Sequence, residues 1–255
     1  LYAGPLGEGP FAEVARQALE AIGVDHVGPL VPGDQGYCVA MTDARAERTF
    51  VSTRGAETRG PLDAFNHLEV RGDDVVYISG YSLADEASRV ALERLVGRLA
   101  QDRVGCRALF DVSPMVGSVP LPALERIGEL EPIWSLNERE SGLLAARLGS
   151  AVEAGDHAST CEALSGLLGT VLVRAGERGS WFADGGSATR TPSIPVTPVD
   201  TNGAGDAHSG VLAAALARGT DLATALRWAN IAGALTTTHF GPATCPSEAE
   251  IRALA

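Results

Sequence analysis

With 255 residues, 45% of them hydrophobic and 20% charged, the chain has apolar material for a large core, and it is not a disordered or collagen-like polypeptide. Its 20 Lys and Arg stand against 32 Asp and Glu, a net charge of −12 that repels polyanions over most of the surface and argues against a nucleic-acid partner. No apolar run approaches the ~18 residues of a membrane span, the nearest being Val211 to Ala217, closed by Arg218.

In chain order, Phe11, Val14, Ala15, Ala18 and Ile22 recur at helical spacing before Gly23, the pattern of an amphipathic helix with a glycine end. Gly36 to Asp43 and Glu47 to Thr53 read as two strands of a hairpin joined by Ala44-Arg45-Ala46. From Val75 the pattern becomes short apolar runs separated by helices, as in a parallel sheet covered on both faces. The strand candidates are Val75 to Ser79, Ala108 to Phe110, Ile133 to Leu136 and Thr170 to Val173, and a helix carries Ala87, Ala91, Leu95 and Leu99 on one stripe. Two helices, about Ala204 to Arg218 and Leu222 to Thr238, complete the chain, the second running into Gly241-Pro242. No low-complexity stretch or linker divides it, so one α/β domain over residues 1–255 with an appended hairpin is expected.

The four cysteines, Cys38, Cys106, Cys161 and Cys245, form no C-x-x-C pair, and the five histidines show no ligand spacing. Reduced, buried thiols of a cytoplasmic protein are expected, and no signal peptide is read at Leu1.

Chemistry concentrates between Val199 and Ala207, where Asp200-Thr201-Asn202-Gly203-Ala204-Gly205-Asp206 leads into the apolar stripe of Val211, Leu212 and Ala215. Unpaired N–H groups at a helix start carry partial positive charge, and small residues there let a phosphate approach, which is how an acidic protein can bind a polyphosphate. A carboxylate in the first turn, Asp206, would lie close enough to take a proton from an incoming hydroxyl. An isolated glycine turn followed by an aspartate could equally be a loop whose carboxylate complements the helix dipole.

The complete string resembles the signature of the PfkB (ribokinase-like) family of carbohydrate and nucleoside kinases, and the resemblance extends over nearly the whole chain. It implies a ribokinase-like αβα sandwich around a mostly parallel sheet, with a small β-hairpin lid at about residues 33–57. It further implies Asp206 as catalytic base next to the acceptor hydroxyl, Gly203, Ala204 and Gly205 as an anion hole, and Asp200 and Thr201 as residues that position the phosphates.

Asn137-Glu138-Arg139-Glu140, after a strand, is similar to the family's N-x-x-E motif near Mg²⁺ and phosphate. An amide and a carboxylate three apart in a first helical turn can address a hydrated Mg²⁺, but Asn137 and Glu140 also have the spacing of a capping box. Arg174-Ala175-Gly176-Glu177-Arg178-Gly179 is similar to the family's strand followed by G-x-x-G bordering the nucleotide, which would let Arg174 reach a phosphate oxygen; such glycine pairs are also common tight turns. Asn230 resembles the residue that lines the adenine pocket. The segments Asp200 to Asn202 and Thr236 to Cys245 look like those whose carbonyls hold a monovalent cation, with Asp200, Asn202, Thr236 and Gly241 as candidates for K⁺.

The family's N-terminal segment, with a Gly-Gly motif that grips the sugar, is not found in the sequence, and Leu1 to Gly7 is expected to enter at the second or third strand. His208 stands where Phe is common, and is expected to face the core. Gly80 stands where ribokinases carry an acidic sugar-binding residue, which speaks against strict ribose specificity. The function implied is ATP-dependent phosphoryl transfer to a hydroxyl of a small sugar, with Mg²⁺. The alternatives are a nucleoside kinase of the same family or an idle sugar or nucleotide sensor, and the resemblance adds a homodimer through the lid as an expectation. A Rossmann oxidoreductase would need a G-x-G-x-x-G after the first strand, and none is present.

Overall fold

The computed structural model describes residues 1–42 and 48–255. They form two compact units, Leu1–Glu69 with Ser82–Arg98 and Val70–Tyr81 with Leu99–Ala255.

In the first unit, helix α1 (Pro10–Ala21) opens on a proline, whose missing N–H costs nothing there. Its next N–H groups, from Phe11 and Ala12, donate to the Asp34 carboxylate at 3.2 and 2.9 Å, so a side chain 22 residues downstream caps the helix. That anchor turns Ala12 inward, and the expected apolar stripe stays open: Val14 is 65% and Ile22 72% exposed, while Phe11 stacks on Tyr37 with ring centroids 4.6 Å apart. Strands β1 (Cys38–Thr42) and β2 (Arg48–Ser52) pair antiparallel with Val39 opposite Val51. The expected turn Ala44-Arg45-Ala46 lies outside the described residues. At the hairpin's base the Glu57 carboxylate accepts N–H bonds from Gly36 and Gly55, both at 2.7 Å. Most of helix α2 (Glu86–Gln101) also belongs to this unit, and Ala91, Leu95 and Leu99 of the expected stripe are buried.

The second unit is built on a six-stranded sheet of β3 (Val75–Ser79), β4 (Arg107–Asp111), β5 (Ile133–Asn137), β6 (Thr170–Arg174), β7 (Ser180–Asp184) and β8 (Thr189–Thr191), in that spatial order. The first four are parallel, and β7 and β8 are antiparallel additions. Leu109 and Leu172 on one face form a core with Leu212, Ala215 and Leu216 of helix α6 (Ala204–Ala217) and Ala225, Leu226 and Ala229 of helix α7 (Leu222–Thr236). Neighbouring residues on a strand point to opposite faces. The other face therefore carries Phe110 and Trp134, edge to face at 5.2 Å, under helices α3 (Leu121–Gly128), α4 (Glu138–Arg147) and α5 (His157–Leu168). Helix α8 (Glu248–Arg252) packs on α7.

The thiols differ from expectation. All four are free, but only Cys161 is buried; Cys38 and Cys245 are exposed, because one lies on a two-stranded hairpin and the other in a surface loop.

Candidate active site

In open α/β sheets ligands bind outside the carboxyl ends of the parallel strands, where loops leave the sheet. Here three neighbouring strands end in polar side chains, β4 in Asp111, β5 in Asn137 and β6 in Arg174. Above them α6 begins. Its N-cap, Gly203, is left-handed at φ 75°, and a Cβ there would stand 2.0 Å from the Pro242 carbonyl oxygen, so both conformation and space demand glycine. The preceding loop is strapped down: the Asp200 carboxylate accepts N–H bonds from Asn202 and Gly241, both at 3.0 Å, and the Thr237 carbonyl accepts from Val199 and Asp200. Ala204, Gly205 and Asp206 form the first turn. The Ala207 N–H already bonds the Gly203 carbonyl at 2.8 Å, and the three N–H groups before it are those that a helix start leaves without an i−4 partner inside the helix.

Beside this turn opens a cleft of about 680 Å³, within the range of small-molecule sites. Asn137, Arg174, Gly176, Glu177, Gly179, Thr201, Gly205 and Asn230, the residues that the sequence suggests for a nucleotide, all line it. Ser193 to Val196 supply a further wall that sequence reasoning missed, since nothing in that proline-bearing stretch marks it as more than a linker. The Asp206 side chain is exposed next to the Gly205 lining, and desolvation in this corner, followed by the Asp111 charge, raises its pKa against the pull of Arg174.

Sequence reasoning also missed Asp111. It is 9% exposed, its carboxylate pairs with Arg174 and accepts the Ser209 hydroxyl at 2.8 Å, and it adds to the burial that pushes the Tyr77 phenol upward. A carboxylate ending a parallel strand was the available signal.

Asn137 and Glu140 form a complete capping box: the Glu140 N–H donates to Asn137 Oδ1 at 2.9 Å and the Asn137 N–H to Glu140 Oε2 at 2.8 Å. Glu140 is 3% exposed and burial raises its pKa, although the Asn137 N–H and Arg174 act the other way. Asn137 borders the cleft and Glu140 lies behind it.

His208 is buried, as the sequence suggests, and its Nε2 lies 3.2 Å from Asn230 Oδ1. The Asn230 amide donates to the Thr191 carbonyl at 2.9 Å and the Pro192 carbonyl at 3.3 Å, which assigns Oδ1 as its acceptor and places the histidine proton on Nε2. Burial lowers the His208 pKa to about 3, with Arg174 adding to the effect. Gly80 has a local explanation as well, because a Cβ there would meet the Val112 carbonyl oxygen at 1.9 Å, so the acidic side chain expected from ribokinases has no room. Thr236 is fully buried, its carbonyl accepts the Thr244 hydroxyl at 3.2 Å, and its own hydroxyl has no hydrogen-bond partner among the described residues.

The family model for pfkB family carbohydrate kinases matches residues 1–249. The chain belongs to the PfkB family. The Escherichia coli protein YegV, described as an uncharacterized sugar kinase, is 29% identical over 247 residues, covering 97% of this chain and 75% of that protein. Bacillus subtilis ribokinase is 34% identical over 244 residues, covering 93% of this chain and 75% of its own length. Among solved structures, Vibrio cholerae fructokinase in its fructose-, ADP- and calcium-bound form has a TM-score of 0.79 at 23% identity, over 98% of this chain and 83% of that one. The chain is thus a PfkB-family ATP-dependent carbohydrate kinase with the ribokinase-like fold.

Proposed function

We propose that this PfkB kinase holds ATP in the 680 Å³ cleft and transfers its γ-phosphoryl group to a hydroxyl of a small sugar, with Asp206 as general base. One observation carries the reading: an exposed carboxylate stands in the first turn of α6, beside the N–H groups of the helix start and a cleft lined by every suggested nucleotide contact. Asp206 takes the proton of the acceptor hydroxyl as its oxygen bonds to the γ-phosphorus. The bond from that phosphorus to the β,γ-bridging oxygen breaks, and ADP leaves. A raised pKa suits Asp206 for that proton, since a base works best near the ambient pH. The N–H groups of Ala204 to Asp206 face the charge on the transferring group, the dominant contribution in this chemistry.

Mg²⁺ supplies charge neutralisation on the phosphates when bound. Since the Glu140 carboxylate is buried in the capping box, Asn137 and Glu140 fit an ion that keeps its own waters, not one ligated directly. For K⁺, the carbonyls of the Asp200–Asn202 and Thr236–Gly241 loops, with the orphaned Thr236 hydroxyl, are a suitable oxygen set. His208 and Asn230 lie where the base would rest. Asp206→Asn is expected to lower kcat by about 10²- to 10⁴-fold with ATP affinity retained, measured as ADP release over a panel of pentoses, hexoses, sugar phosphates and nucleosides. Full turnover in that variant removes Asp206 from the mechanism.

A further inference from the structure

The guanidinium of Arg174 is 12% exposed and its two terminal nitrogens are engaged with protein. Nη1 donates to the Gly205 carbonyl at 3.2 Å and lies 3.0 Å from Asp111 Oδ2. Nη2 donates to Asp111 Oδ1 at 3.2 Å and stands 3.6 Å from Glu140 Oε2. The Ser209 hydroxyl donates to Asp111 Oδ2 at 2.8 Å. Gly205 and Ser209 are four apart on α6 and so share one helix face. The start of α6 is therefore tied to the ends of β4 and β6 at two points, Gly205 in its first turn and Ser209 in its second, one on either side of Asp206 in sequence.

We infer that Arg174 and Asp111 are positioning residues for phosphoryl transfer, their forked ion pair fastening the first turn of α6 to the sheet and so fixing the Asp206 carboxylate and the N–H donors beside it. The inference rests on Asp206 being the base. A guanidinium that turned from this cluster to a phosphate would leave two buried carboxylates, Asp111 and Glu140, without their counter-charge, the costliest state for an ion pair. The planar fork of arginine spans both Asp111 oxygens and the Gly205 carbonyl together; the single ammonium of lysine does not.

The test compares Arg174→Lys and Ser209→Ala, each alone and combined with Asp206→Asn, by kcat, KM for ATP, and calorimetric affinity for ATP. A misplacement near 1 Å at a reacting group costs about 10²-fold, so Arg174→Lys is expected to lower kcat by about 10- to 100-fold with ATP affinity changed less than about threefold. Ser209→Ala, which removes one anchor and keeps the ion pair, is expected to lower kcat by about 3- to 10-fold, and it decides the matter if Arg174→Lys does not fold. In the Asp206→Asn background each change should lower kcat less than it does in the parent, because the base is gone and only the N–H donors remain to be misplaced; a merely structural role does not predict that loss of additivity. The inference is overturned if Arg174→Lys weakens ATP binding tenfold or more at unchanged kcat, which marks a phosphate contact, if both variants turn over like the parent, or if their losses multiply with that of Asp206→Asn. Full turnover by Asp206→Asn alone is a separate result and refutes the base assignment.

Discussion

Gly203→Ala separates the geometry of the α6 start from its composition. The backbone there sits at φ 75°, and a left-handed alanine costs roughly 1–2 kcal/mol relative to glycine. Space adds to this, since the new Cβ would lie 2.0 Å from the Pro242 carbonyl oxygen, which is backbone and cannot rotate aside. Restoring a normal contact moves the loop or the helix start by about 1 Å, enough to cost about 10²-fold in the chemical step if the turn carries it. The expected variant therefore loses roughly 2–5 kcal/mol of stability, about 4–9 °C in Tm at this chain length, and about 10²-fold in kcat/KM. Gly210→Ala, on the same helix, is the control for stability, because its Cβ would meet no described atom within 4 Å and alanine favours a helix. Differential scanning calorimetry and coupled ADP-release kinetics on both variants read the difference. A Gly203→Ala protein with parental Tm and kcat/KM would refute the reasoning, since neither the backbone conformation nor the Pro242 contact would then matter.

His208 ties stability to pH. Its folded-state pKa near 3 lies below the ordinary 6.5, so the unfolded chain binds the extra proton between these values, and the contribution present above pH 6.5 is lost as pH falls. From pH 7 to pH 5 this amounts to about 2 kcal/mol, so His208→Gln should flatten the acid limb in denaturant titrations, and an unchanged slope would count against a buried neutral histidine. Gly80→Asp should drop Tm by several degrees without creating ribose preference, because the Val112 carbonyl occupies the space; a stable variant that prefers ribose contradicts this. Asn137→Ala removes the α4 cap and should cost about 0.5–2 kcal/mol of stability by the same titration, whereas an effect on ATP affinity alone would mean that the cap is incidental.

The sequence by itself determined the local chemistry: the runs that became β3 to β6 and the glycine-bearing start of α6 with Asp206 in its first turn, because each depends on neighbours within a few positions; the nucleotide contacts that line the cleft came through the family resemblance. Burial on α1 was misjudged for the same reason, since spacing reports a helix but not whether anything covers its apolar side. Only the tertiary structure decided what Asp111 and Arg174 do. Their partners lie 63 and 31 residues away along the chain, and the parallel strands β4 and β6, on either side of β5, with the start of α6 bring those groups together regardless of separation in sequence. Folding likewise showed the capping box formed by Asn137 and Glu140 and turned Gly80 from an apparent loss of specificity into a steric requirement, as a carbonyl from another strand end cannot be read from local pattern.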